Sequence, residues 1–203
     1  MKLWDVYHRP ATVDEALHLL KQHRGKARVI AGGTDLLVEM RAGHHEPHEA
    51  LVDVTSIDDL NHIQQEGDEI VIGAGVTHSA IVASPLLVRE ATCLVESCGV
   101  VGGPQVRNVA TLGGNVAHAL PAGDGTTALV ALDARAEIVK DGQQMIVPIA
   151  EMFLGPGKSL IDPTRDLLLS LRFRAGKDSE ASAFKRVMRP QGVALPVLGC
   201  AIW

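Results

Sequence analysis

The sequence predicts an α/β unit followed by an α+β unit, and three features carry that prediction. A short β-rich run, Ala27 to Ala31, enters a paired-glycine turn and then a helical stretch. A glycine-rich span runs from Gly99 to Gly125 in the middle of the chain. Beyond it, strand-like apolar runs alternate with turns to the C-terminus. Apolar types make up 46% of the 203 residues but aromatics only 3%, so Val, Leu, Ile and Ala must build the core.

In chain order, Thr12 is a candidate N-cap for a helix to Lys21, with apolar residues at 13, 16, 17, 19 and 20 and Gly25 beyond its end. A strand over 27–31, the turn Gly32-Gly33-Thr34-Asp35 and a helix over 36–40 follow. Leu51 to Val54 reads as a second strand, 57–63 as a short helical or turn element, and 69–76 as a strand broken by glycine. Helical stretches are expected over 77–82 and 86–98. The span 99–125 has too little helical period for a helix and too much length for an ordinary loop, which marks it as functional. A short helix over 126–133 precedes a hairpin turning at Asp141-Gly142, between 136–140 and 144–148. Strand-like runs over 167–174, 183–188 and 197–203 complete the chain, with Pro190-Gln191-Gly192 as a turn. The join between the two units falls near Thr55–Leu60.

Charge and composition exclude several classes of function. A net charge of −5 lacks the basic footprint that phosphate backbones or anionic lipids require, so neither nucleic acid nor membrane is expected as a partner. No apolar run approaches the roughly 20 residues of a membrane-spanning helix, and the charged, proline-bearing N-terminus is no signal peptide, which predicts a cytoplasmic protein. Three cysteines without a CxxC pair form neither a disulfide framework nor a four-thiolate metal site. His44, His45 and His48 are interrupted by Pro47 and read as a solvated linker, so no metal site is expected.

Two glycine-pair loops can carry chemistry. In Ala31-Gly32-Gly33-Thr34-Asp35-Leu36 the backbone can approach a phosphate, with amides at the start of the next helix and the Thr34 hydroxyl as donors. Asn108 to Val116 repeats the device with Thr111, Leu112, Gly113, Gly114 and Asn115. Downstream, Asp124 sits on a tight turn where its carboxylate can accept a hydrogen bond from a ribose hydroxyl. Gly73-Ala74-Gly75 lacks the third glycine of a Rossmann fingerprint. Gly155-Pro156-Gly157-Lys158-Ser159 is no P-loop, because Met152 replaces the first glycine and Pro156 removes an amide. No catalytic nucleophile with a recognisable base is present. Lys185 and Arg186 lie on a strand-like run whose faces are a solvated surface or a cofactor contact.

The ordered set AGGTDL (31–36), GPQVRNVATLGGN (103–115), PAGD (121–124), ALDA (131–134), GPGK (155–158) and SAFKRVMR (182–189) resembles the FAD-binding subunit of molybdenum hydroxylases, the family of xanthine dehydrogenase, aldehyde oxidase and the CO dehydrogenase medium subunit. It resembles bacterial xanthine and nicotinate dehydrogenase FAD subunits most. The resemblance implies a two-subdomain FAD-binding fold of the vanillyl-alcohol oxidase (PCMH) type, α/β over 1–57 and α+β over 58–203. Family members continue as a C-terminal domain of about 80 to 100 residues, expected here to be absent. By matching positions, Val29, Ile30, Ala31, Gly32, Gly33, Thr34, Asp35 and Leu36 hold the FAD pyrophosphate, and Thr111, Leu112, Gly113, Gly114 and Asn115 form a second clamp. Asp124 binds the adenosine side, and Val101, Leu168 and Lys185 contact the flavin region. The resemblance further implies an oxidoreductase subunit with no catalytic residue acting on substrate. It takes electrons from [2Fe-2S] clusters of a small subunit, next to a molybdopterin large subunit, and passes them to NAD or another acceptor. The alternative is an FAD-binding or assembly module without redox activity of its own.

Overall fold

The protein is described by a computed structural model covering residues 2–44, 47–177, 179–189 and 194–203. Its first part alternates strand and helix: β1 (Trp4–His8), α1 (Val13–Gln22), β2 (Ala27–Ile30), α2 (Leu36–Arg41) and β3 (His48–Asp53). Thr12 caps α1 by accepting from Glu15 N–H, and Glu15 in return accepts from Ala11 N–H, a capping arrangement that fixes where the helix starts. The strands form a parallel sheet in the order β1-β3-β2. Ala16 and Leu20 of α1 are buried with Ala27, Ala50 and Val52 of that sheet, a core extended by Val54, Ile57 and Leu60.

The second part is antiparallel. After a 3-10 turn at Asp58–Leu60 come β4 (Ile63–Glu66) and β5 (Glu69–Gly73), then α3 (His78–Ala83), α4 (Pro85–Glu90), α5 (Thr92–Gly99), α6 (Pro104–Arg107), α7 (Leu112–His118) and α8 (Asp124–Ala131). The strands β6 (Arg135–Lys140), β7 (Gln143–Pro148), β8 (Phe153–Gly155), β9 (Lys158–Ser159), β10 (Leu167–Arg174), β11 (Ala183–Met188) and β12 (Pro196–Ile202) follow. A five-stranded sheet runs β4-β5-β10-β6-β7, and its apolar face is covered by the helices through Ile81, Leu87, Leu94, Leu112 and Leu129. β10 belongs to both parts: Leu167 is buried in the first core, whereas Leu168, Leu171 and Phe173 are buried in the second. β11 and β12 form a separate hairpin over α5 and α8.

Several expectations from sequence are corrected. β1 and β4 were not expected, and β3 starts at His48, so that histidine belongs to a strand and not to a linker. His45 and the turn at Pro190-Gln191-Gly192 lie outside the described residues. The single helix over 86–98 is two, broken at Ala91 with φ −150° and ψ 57°. The span 99–125 contains α6, α7 and the start of α8. Glycine lowers helix propensity, but tertiary contacts override it here: Thr111 caps Gly114 N–H at 2.9 Å, and Leu112 and Val116 are wholly buried. Gly155 to Ser159 makes the tight β8–β9 hairpin and leads into no helix.

Candidate functional site

The turn after β2, the start of α7 and the start of α8 converge on one cleft of about 500 Å³ that lies between the two parts. That volume is in the range of small-molecule and cofactor pockets. The sheet strand β2 delivers its C-terminal end to the cleft, and the chain must then reverse within a few residues to begin α2. Gly33, at φ +67°, makes the reversal. Gly32 allows the close approach of another segment, since a Cβ there would overlap the Val109 carbonyl. Among the described residues the backbone amides of Gly32, Gly33, Thr34 and Asp35 have no hydrogen-bond acceptor, and Asp35 does not cap α2 with its side chain. Four free amides beside a helix start make an anion-binding concavity.

The second glycine pair works differently. Leu112 N–H donates to Val76 O, Gly113 N–H to Ala74 O, Gly114 N–H to Thr111 Oγ1 and Asn115 N–H to Thr111 O. With these amides satisfied, the loop's role is close packing: a Cβ on Gly113 would overlap the backbone of Ala74. What the loop offers the cleft is the Asn115 side chain, whose buried Oδ1 has no hydrogen-bond partner.

Asp124, the first residue of α8, is buried, and Arg186 Nη1 donates to its Oδ2 at 2.6 Å. Its Oδ1 is buried and unpaired. Burial pushes the Asp124 carboxyl up, against the opposing pull of the Arg186 charge. His78 also lines the cleft with an unpaired Nδ1, and burial, reinforced by the Arg107 charge, depresses it to about 4. Arg107 itself donates to Val101 O and Gly102 O and so fixes the edge of the cleft at Val101.

Of the residues singled out in sequence, Val29 to Leu36, Val101, Thr111, Gly113, Gly114, Asn115, Asp124 and Leu168 line the cleft. Leu112 does not: it is wholly buried in the second core. Lys185 does not either, for its side chain is 86% exposed and lies 3.6 Å from Glu96. Arg186 takes its place, because successive residues of a strand face opposite ways and Arg186 shares its face with the buried Phe184. That the two residues face opposite ways was available in the sequence; which face meets the cleft was not. Neither were His78 and the Glu39–His118 contact at 3.3 Å beside the cleft, since α2 and α7 meet only in three dimensions.

The polar groups of the cleft are segregated. Unpaired donors at Gly32 to Asp35 suit an anion, and unpaired acceptors on Asn115 and Asp124 suit hydroxyl or amino donors. A molecule carrying both a pyrophosphate and a sugar has that distribution, so the residues present fit FAD.

Residues 2–173 match the family model described as "FAD binding domain in molybdopterin dehydrogenase". The chain is 31% identical to the carbon monoxide dehydrogenase medium chain of Hydrogenophaga pseudoflava over 97% of this chain and 67% of that one. It is also 31% identical to the putative xanthine dehydrogenase FAD-binding subunit XdhB of Escherichia coli, over 96% of this chain and 66% of that one. In a solved carbon monoxide dehydrogenase from Hydrogenophaga pseudoflava, a chain with 29% sequence identity superposes with a TM-score of 0.92, covering 99% of this chain and 69% of that one. The chain thus spans about two thirds of the length of the curated relatives it matches.

Proposed function

Since the chain belongs to the family of FAD-binding domains of molybdopterin dehydrogenases, we propose that it is the electron-transferring flavin subunit of a molybdenum-dependent hydroxylase or dehydrogenase. Its cofactor is FAD and its fold is the FAD-binding PCMH type. The observation that carries the reading is the segregated cleft, with free amides at Gly32 to Asp35 at one pole and free acceptors on Asn115 and Asp124 at the other.

In this reading the stretch Val29 to Leu36 holds the pyrophosphate, and Thr111, Gly113, Gly114 and Asn115 close over it. Asp124 accepts from a sugar hydroxyl, and Val101 and Leu168 form the apolar wall toward the flavin. When bound, a flavin accepts electrons singly or in pairs and so links one-electron donors to a two-electron acceptor. The chain's own residues bind and orient it, and substrate oxidation takes place on a partner. Partners are a [2Fe-2S] small subunit and a molybdopterin large subunit, and the terminal acceptor is NAD or another oxidant, in the cytoplasm. The names of relatives as medium chains and FAD-binding subunits support that assembly. Two lobes, 1–57 and 58–203, flank the cofactor, a division supported by the two hydrophobic cores that β10 joins.

The purified chain, supplied with FAD and desalted, should retain an absorption band at about 450 nm that bleaches on reduction and returns with oxidant. Absence of the band would defeat the reading. The alternative, an FAD-binding or assembly module without its own redox activity, is favoured by the exposed apolar Leu195 at the cleft and Val197, Leu198 and Ile202 on the strand that follows it. A bound flavin that exchanges no electrons with a co-purified iron–sulfur subunit would decide for it.

A further inference from the structure

We infer that Arg186 is the positioning residue of the acceptor pole: it holds Asp124 through Oδ2 so that Oδ1 alone faces a donor of the bound cofactor, and it ties that contact to the β11–β12 hairpin. The inference rests on the reading that Asp124 meets the sugar of FAD.

Arg186 Nη1 lies 2.6 Å from Asp124 Oδ2, and the two side chains are 10% and 5% exposed, so the pair is withdrawn from water. Its other terminal nitrogen lies 3.1 Å from Met188 Sδ, which leaves the guanidinium fixed by its own strand. A buried, charge-assisted hydrogen bond of this length fixes the carboxylate plane. The second oxygen, buried and unpaired, therefore has one direction in which to accept, and the equally unpaired Asn115 Oδ1 lies beside Gly123 and Gly125, which flank Asp124. The Cys98 thiol on α5 also neighbours Asp124, and burial pushes it up to about 12 and so keeps it neutral. Arg186 is thus the charge that opposes the effect of burial on Asp124. Because Arg186 rides on β11 and Asp124 starts α8, a donor that orders Asp124 also secures the hairpin, and the coupling is reciprocal.

The test is FAD binding to the full chain, followed by quenching of flavin fluorescence, with hydrogen exchange of β11 as a second readout. Arg186→Gln and Asp124→Asn should each weaken FAD by about tenfold, and the double variant should be no weaker than either single one, since both remove the same contact. In Arg186→Gln the carboxyl loses its counter-charge and is pushed up further, so it stays protonated to higher pH than in the wild type. FAD affinity should then improve as pH increases over a range where the wild type is already flat. Arg186→Lys, which keeps the charge, should restore the flat profile and serves if the glutamine variant folds poorly. FAD should slow exchange at Phe184–Val187 in the wild type and not in Arg186→Gln. Additive losses, or full affinity in Arg186→Gln while Asp124→Asn is weakened, would overturn the role of Arg186 and leave the sugar contact standing. Full affinity in Asp124→Asn would overturn both.

Discussion

At the scale of the residue, the site depends on atoms that are either left out or left unpaired. Gly113 is required because its backbone lies on Ala74, where a methyl group has no room. Gly113→Ala should destabilise the protein by about 1–3 kcal/mol through overpacking, measured by urea unfolding, and should weaken FAD in parallel. His78 is buried neutral at about 4, against 6.5 for a free imidazole. The unfolded chain therefore binds the extra proton first as pH falls, so this stability is complete above about 6.5 and is lost progressively toward 4. That window corresponds to about 3 kcal/mol, and His78→Gln should flatten that acid limb in denaturation curves taken between those pH values. That Gly32, Gly33 and Asp124 belong together was legible in the sequence through the ordered motifs that carry them, and all three line the cleft. His78 was not legible, because its burial is produced by Ala110 and the 101–107 segment, remote from it in sequence.

At the scale of the element, periodic segments were readable and packed ones were not. α1 announces itself by a capping residue and an apolar stripe, and the β6–β7 hairpin by Asp141-Gly142 between alternating runs. α7 has two glycines in its first turn and no apolar stripe; it is a helix because Thr111, Ala74 and Val76 hold its first amides. β10 is the element on which the architecture turns, since it contributes Leu167 and Leu169 to one core and Leu168, Leu171 and Phe173 to the other. Leu167→Ala should cost about 2–5 kcal/mol, and chemical denaturation should still show one transition if β10 couples the two parts. On the wet face of the sheet Arg172 of β10 bonds Glu137 on the adjacent β6 and, reaching past β5, Glu66 on β4, which ties the three strands together.

At the scale of the whole molecule, a parallel sheet and an antiparallel sheet enclose one cleft, and a ligand that touches both must stabilise both. FAD at a hundredfold excess over its dissociation constant should raise the unfolding free energy by about 2.7 kcal/mol, seen as a higher Tm in a thermal scan that is abolished with Gly113→Ala at the same FAD concentration. The sequence by itself determined the α/β then α+β order, the aliphatic core, the glycine turn after β2 and the motif set that resembles the flavin subunits of molybdenum hydroxylases, because these rest on local conformation and on residues in series. Only the tertiary structure decided which amides stay free, that Arg186 and not Lys185 reaches the cleft, that Leu112 belongs to the core, and that a glycine-rich span folds as helices. Each of those depends on what a distant segment supplies: a carbonyl to take an amide proton, a carboxylate to meet a guanidinium, or an apolar face to bury a short helix.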